Sequence, residues 1–108
     1  MTFGQMFTVA FGGGKNMENS PINEYQQLMA ITAEECGELV QVCMKIIRMF
    51  DEHDKIDAKR LGHLIEEAGD VYAMIDLLCE HNVLQWKDIH DRALVKREKL
   101  KQWSTLVK

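Results

Sequence analysis

A single proline, Pro21, occurs in this chain of 108 residues, and no second one interrupts the backbone from Ile22 to the C-terminus. Proline removes a helical hydrogen bond and clashes with the preceding turn, so its absence leaves the downstream chain free to run as long helices. Apolar residues there recur in alternating steps of three and four, the spacing of a helix face turned toward another helix. Ser20-Pro21 reads as a helix start, with Ser20 as N-cap, Pro21 at the first helical position and Glu24 near the positive end of the dipole. The first helix is predicted to reach about Phe50. A second runs from a cap at Asp54 or Asp57 to about His81, where Asn82 ends it, and a third covers roughly Leu84 to Leu106. Three long helices with short connections predict an all-α antiparallel bundle.

The first nineteen residues have a different character. Four of the seven glycines fall within MTFGQMFTVAFGGGKN, a stretch poor in charge that reads as a flexible arm preceding a helical domain over 20–108. Gly12-Gly13-Gly14-Lys15 lacks the GxxxxGK[ST] spacing of a phosphate-binding loop and reads as linker.

Composition narrows the function. Thirteen basic residues against seventeen acidic ones give a net charge of −4, which argues against a partner that is a nucleic-acid polymer. No apolar run approaches the roughly 20 residues that cross a bilayer, and the N-terminus lacks the basic-then-apolar order of a signal peptide. Cys36, Cys43 and Cys79 are odd in number and lack CxxC spacing, so they are expected to be small buried hydrophobes in a reducing, cytoplasmic setting. A chain this short buries only about 60–70% of its unfolded surface, which favours help from a second subunit.

The helical seams carry the chemistry. In the first helix the seam runs Leu28, Ile31, Glu35, Glu38, Val42 and Met49, with Lys45 or Ile46 between the last two. The second repeats the arrangement as Leu64 or His63, Glu67, Asp70, Met74 and Leu77. Unpaired carboxylates inside a seam cost several kcal/mol, and four together repel. Carboxylates at i and i+3 project from one helix face, so two such pairs on antiparallel helices form an all-oxygen cage suited to Mg²⁺ or Mn²⁺. Glu34 and Glu66 lie one step off the seams. No acidic pair supplies the Glu-x-x-His of a di-iron bundle, and the histidines at 53, 63, 81 and 90 fit no zinc spacing. Gly37 and Gly69 each precede the last acid of their motif, at about 1 kcal/mol relative to alanine. Close helix approach and room for a ligand both account for them. On the third helix Trp86, Ile89, Ala93, Lys96, Leu100, Trp103 and Val107 share a seam in which Lys96 is the one charge.

Glu34-Glu35-Cys36-Gly37-Glu38 followed, after 28 residues, by Glu67-Ala68-Gly69-Asp70 resembles the EExxE and ExxD signature of the MazG-like nucleoside triphosphate pyrophosphohydrolases. The resemblance extends over roughly Pro21 to Trp103. It implies a MazG-like all-α bundle of three to four helices per chain, completed by association into a dimer or a dimer of dimers. It also implies hydrolysis of a nucleoside triphosphate to the monophosphate and pyrophosphate with Mg²⁺, in nucleotide-pool control or housecleaning. Carried over residue by residue, Glu35, Glu38, Glu67 and Asp70 are metal ligands, and Glu34 stands where a base orients the attacking water. Lys96 matches the family's phosphate-contacting lysine, while Leu100 stands where its asparagine is expected. Beside the resemblance, Lys45 and Arg48 are further phosphate candidates, and Tyr25, Gln26, Tyr72, Asn82 and Trp86 are candidates for a base and sugar pocket. The competing reading is a non-catalytic helical oligomerisation module in which the acids pair with Lys96 or Arg60.

Overall fold

The computed structural model describes residues 23–50 and 54–108, and among these it contains three α-helices and no strand: α1 Glu24–Met49, α2 Ala58–Glu80 and α3 Trp86–Trp103. The all-α expectation is met. The chain divides into two compact units, Met1–Ile75 and Asp76–Lys108.

In the first unit α1 begins later than Ser20-Pro21 suggests. Asn23 is the N-cap, in extended conformation, and forms a capping box with Gln26. Its side chain accepts the Gln26 backbone N–H at 2.9 Å, and the Gln26 side chain accepts the Asn23 N–H at 2.9 Å. Two otherwise unpaired donors are satisfied reciprocally, which makes a helix start independent of proline. Ser20, Pro21 and the Gly-rich arm lie outside the described residues. Asp57, one of the two expected caps, starts α2 by accepting the Arg60 N–H at 2.8 Å and pairing with the Arg60 guanidinium.

The α1 seam has the predicted membership. Leu28, Ile46 and Met49 are buried, and Ile31, Glu35, Glu38 and Val42 are half-buried. Ile46 takes the open seam position, while Lys45 is exposed. On α2 Leu64 is half-buried and His63 exposed, and Met74 is buried. Glu38 lies about three turns before the end of α1 and Glu67 about two and a half turns after the start of α2. The two motifs therefore meet at the same height, and α1 and this part of α2 form an antiparallel hairpin.

The second unit opens with the last turn of α2, where Leu78 is buried and Leu77, the expected seam residue, is exposed. Asn82 adopts a left-handed backbone with φ of 62°. Its N–H donates to Cys79 O at 3.0 Å, and the Val83 N–H donates to Leu78 O at 2.9 Å. This paired arrangement closes a helix with a left-handed residue, for which asparagine is well suited. The Leu84 N–H also donates to Leu78 O, at 3.2 Å, so Leu84 belongs to the turn and α3 starts at Trp86 instead. At the other end Ser104 is extended, and its N–H and hydroxyl both donate to Leu100 O at 2.9 Å, which stops α3 short of Leu106. On the α3 seam Trp86, Ile89, Leu100 and Val107 are half-buried, but Ala93, Lys96 and Trp103 are exposed.

The expected burial of the cysteines is not met. Cys36 and Cys43 are exposed free thiols, and Cys79 is half-buried. Seven residues separate the first two, so they share a face of α1, and that face is not the one turned to α2. Burial raises the Cys79 thiol, as does the nearby Asp76 carboxylate. No helix among the described residues is long and apolar enough to cross a membrane.

Candidate metal centre

The hairpin brings together the acids of both motifs. Glu35 and Glu38 from α1 and Glu67 and Asp70 from α2 each offer one carboxylate oxygen to a set whose members all lie within 4.8 Å of one another. Glu35, Glu38 and Glu67 are half-buried and Asp70 is exposed, so the cluster opens to solvent at one side. The i, i+3 spacing within each motif puts both acids of a pair on one face, and the hairpin register puts the two faces opposite.

Among the described residues nothing of opposite charge pairs with this cluster. The ion pairs among the described residues are Arg60 with Asp57, Lys87 with Asp91 and Lys101 with Glu98, none of which involves a cluster acid. Glu35 Oε2 and Glu67 Oε2 are shielded from solvent and have no hydrogen-bond partner. A buried oxygen without a donor costs about 1–3 kcal/mol, and more when charged. Glu35 and Glu67 accordingly hold their protons more tightly than a free carboxylate. Desolvation, above all, pushes the Glu67 carboxyl up to about 7, followed by a hydrogen bond shared with Glu38 and the charges of Glu38, Asp70 and Glu35. Glu35 is raised by desolvation first, then by the charges of Glu38, Asp70 and Glu34 and a hydrogen bond with Asp70.

The donor set suits a hard divalent cation, since it is all carboxylate oxygen. Metal–oxygen bonds of about 2.1 Å hold ligand oxygens up to about 4.2 Å apart across Mg²⁺. The widest separation of 4.8 Å therefore needs only a small inward movement of side chains that now repel one another.

The other candidates fall as follows. Glu34 is half-buried beside Glu35, close enough for its charge to raise that residue. Lys45 and Arg48 are exposed on α1, toward the hairpin connection, and make no ion pair among the described residues. Tyr25 and Tyr72 are 58% and 63% exposed, so neither is a core aromatic. In the second unit Lys96 is exposed, and the Trp86 ring lies 5.7 Å from that of His90. Gln26 and Asn82 already have backbone tasks, in the capping box and the left-handed turn.

The glycines are settled on one point. A Cβ built on Gly37 or Gly69 meets nothing within 4 Å, so neither is required by close approach of helices in this chain. Met49, Asp54, Lys55, Ile56 and Asp57 line a cleft of about 280 Å³ at the hairpin connection, apart from the acids. Sequence reasoning did not single this cleft out, and its lining has no periodic signature.

Comparison with protein families, with curated proteins and with solved structures finds no match to this chain.

Proposed function

We propose that this protein is a divalent-metal-dependent nucleotide pyrophosphohydrolase of the MazG-like kind, which cleaves a nucleoside triphosphate to the monophosphate and pyrophosphate. The observation that carries this reading is the cluster itself: four carboxylates from two antiparallel helices, within 4.8 Å, two of them with a buried oxygen that lacks any donor. In the competing reading the acids make inter-helix salt bridges. Arg60 pairs instead with Asp57, and no lysine or arginine among the described residues pairs with a cluster acid.

Glu35, Glu38, Glu67 and Asp70 would hold the ion, Mg²⁺ or Mn²⁺. A divalent ion there would supply the positive charge that lets a triphosphate approach an acidic site and would polarise its phosphate oxygens and a nearby water. The residues of the chain do the positioning. Glu34, one step off the ligand seam and next to Glu35, is placed to orient a water for attack at the α-phosphorus and to take its proton. The bond from the α-phosphorus to the bridging oxygen then breaks, and pyrophosphate leaves. Exposed Lys45 and Arg48, on the same helix as Glu35 and Glu38, supply positive charge for the phosphate chain. Orientation and charge neutralisation provide most of the rate in phosphoryl chemistry of this kind. Within the unit that holds the acids, Tyr25 and Tyr72 remain the candidates to contact base or sugar.

Self-association into a homodimer or dimer of dimers belongs to the same reading. Its support is that five hydrophobic side chains are buried among the described residues while sixteen large ones are exposed. A cytoplasmic nucleotide-pool or housecleaning role fits the reaction.

The deciding experiment is a panel of ribo- and deoxyribonucleoside triphosphates incubated with the purified protein and Mg²⁺ or Mn²⁺, with pyrophosphate as the readout. Release from at least one nucleotide, dependent on metal, is expected. A protein that binds metal yet releases pyrophosphate from none of them is not this enzyme.

A further inference from the structure

The net charge of −4 hides two unlike stretches. From Arg92 to the C-terminus stand six cations, Arg92, Lys96, Arg97, Lys99, Lys101 and Lys108, against one acid, Glu98. That stretch carries +5, so with a total of −4 the remainder of the chain carries −9. Asymmetry of this size marks a segment suited to a polyanion. Total charge therefore says little about what α3 can bind.

The cations are not scattered over the helix. Arg92, Lys96, Lys99 and Trp103 follow one another in steps of four, three and four, which sets them in one row along α3, about 16 Å long. All four are exposed, Trp103 by 82%. Lys87 and Lys101 are held by Asp91 and Glu98, but no carboxylate among the described residues pairs with Arg92, Lys96 or Lys99. The negative end of the helix dipole accounts for Lys101 in the last turn. Arg92 and Lys96 lie two to three turns earlier, where that effect has faded. The row thus offers three unpaired charges and an indole open to solvent.

We propose that this row binds single-stranded nucleic acid, with the three cations following successive phosphates and the Trp103 indole stacked on an unpaired base. Proteins that hold single strands without reading their sequence combine cations along the backbone with aromatic rings under the bases. A duplex keeps its bases stacked on one another and offers Trp103 no open face. An anionic membrane fits less well. A helix that lies on a bilayer gathers its apolar side chains on one face and its cations on the other. Here Trp103 stands within the cation row, and the exposed Leu94 and Val95 point to two other sides of the helix. The row belongs to the second unit alone and depends neither on the acid cluster nor on catalysis.

The test is fluorescence anisotropy of a labelled oligothymidylate without terminal phosphates, titrated with the full chain at low salt in EDTA to keep divalent metal out. Binding in the micromolar range is expected, with log K falling against log salt at a slope of about −2 for three phosphate contacts. Arg92→Gln combined with Lys99→Gln should reduce that slope to about −0.7. Trp103→Ala should weaken binding at least about fivefold. Both variants keep Lys96, so their effects are separate from the phosphate role that the resemblance gives that lysine. No binding at tens of micromolar protein, or binding that Trp103→Ala retains in full, overturns the site. So does a duplex bound as tightly as the single strand, which would mean charge alone. Capture by phosphatidylserine vesicles without any binding of the oligonucleotide overturns it in favour of a membrane. If circular dichroism finds a variant unfolded, the wild-type preference for single strand over duplex decides.

Discussion

The protein keeps carboxylates in two settings. On α3, Asp91 and Glu98 each have a lysine one turn away, Lys87 at 2.9 Å and Lys101 at 2.8 Å, and these side chains are 41–84% exposed. In the α1–α2 hairpin four acids sit together, three of them half-buried, without a cation partner among the described residues. The first arrangement is ordinary surface chemistry, neutral locally and worth about 0.3–0.5 kcal/mol per pair. The second leaves charge uncompensated where water is partly excluded, which a folded chain tolerates when something external completes it.

The comparison breaks most visibly if the cluster acids prove expendable. Replacing Glu38 or Asp70 by alanine is expected to reduce pyrophosphate release by at least about a hundredfold and to abolish the rise in melting temperature on adding Mn²⁺, because binding stabilises only a fold that holds the site. Unchanged turnover in either variant refutes the ligand assignment. The uncompensated charge also gives a pH dependence of definite sign. Glu67 is raised from 4.5 to about 7, so the folded state holds its proton more tightly than the unfolded chain. That contribution is fully present below about pH 4.5 and is lost as the pH rises through about 7. Metal-free protein should therefore melt lower at pH 8 than at pH 5.5, with Glu67→Gln reducing the difference; equal melting of the wild type at both values would remove the premise.

Smaller effects sharpen the contrast. Gly69→Ala, on an exposed helix interior with open space before it, is expected to stabilise by about 0.5–1 kcal/mol in urea titrations, with any loss of turnover marking that space as used. Destabilisation instead would point to a contact absent from the single chain. Lys87→Ala should shift stability by no more than about 0.5 kcal/mol at low salt and less at high salt. A larger cost would mean that the surface pair is more than a local neutralisation.

Much of the hairpin is legible in the sequence, because period and charge there tell the same story. The spacing of Leu28, Ile31, Glu35, Glu38, Val42 and Ile46 defines a face, and carboxylates in that face define a site. The choice of Asp57 over Asp54 as the α2 cap is a competition between two side chains at a loop, which pattern does not rank. Ser20-Pro21 is the louder start signal in the sequence, since a reciprocal cap between asparagine and glutamine has a weaker signature than proline. The exposure of the cysteines has a deeper reason. Periodicity shows that Cys36 and Cys43 share an apolar face but not that no helix of the same chain covers it. On α3 the apolar pattern was real at Ile89 and Leu100, yet Lys96 and Trp103 are exposed, so pattern overstated burial.

The hairpin register has a kinetic consequence. Every contact between the helices within the acid cluster joins residues separated by roughly thirty positions across one short connection, and the cluster draws on no other part of the described chain. Loop closure over such a span costs little, and folds dominated by near-neighbour contacts form in microseconds to milliseconds. The four clustered acids are thus gathered early, as α1 meets the first half of α2, and pulse-labelled hydrogen exchange should protect those amides before the amides of α3. Simultaneous protection would refute this order. A cluster assembled in this way is complete while the remainder of the chain is still finding its place.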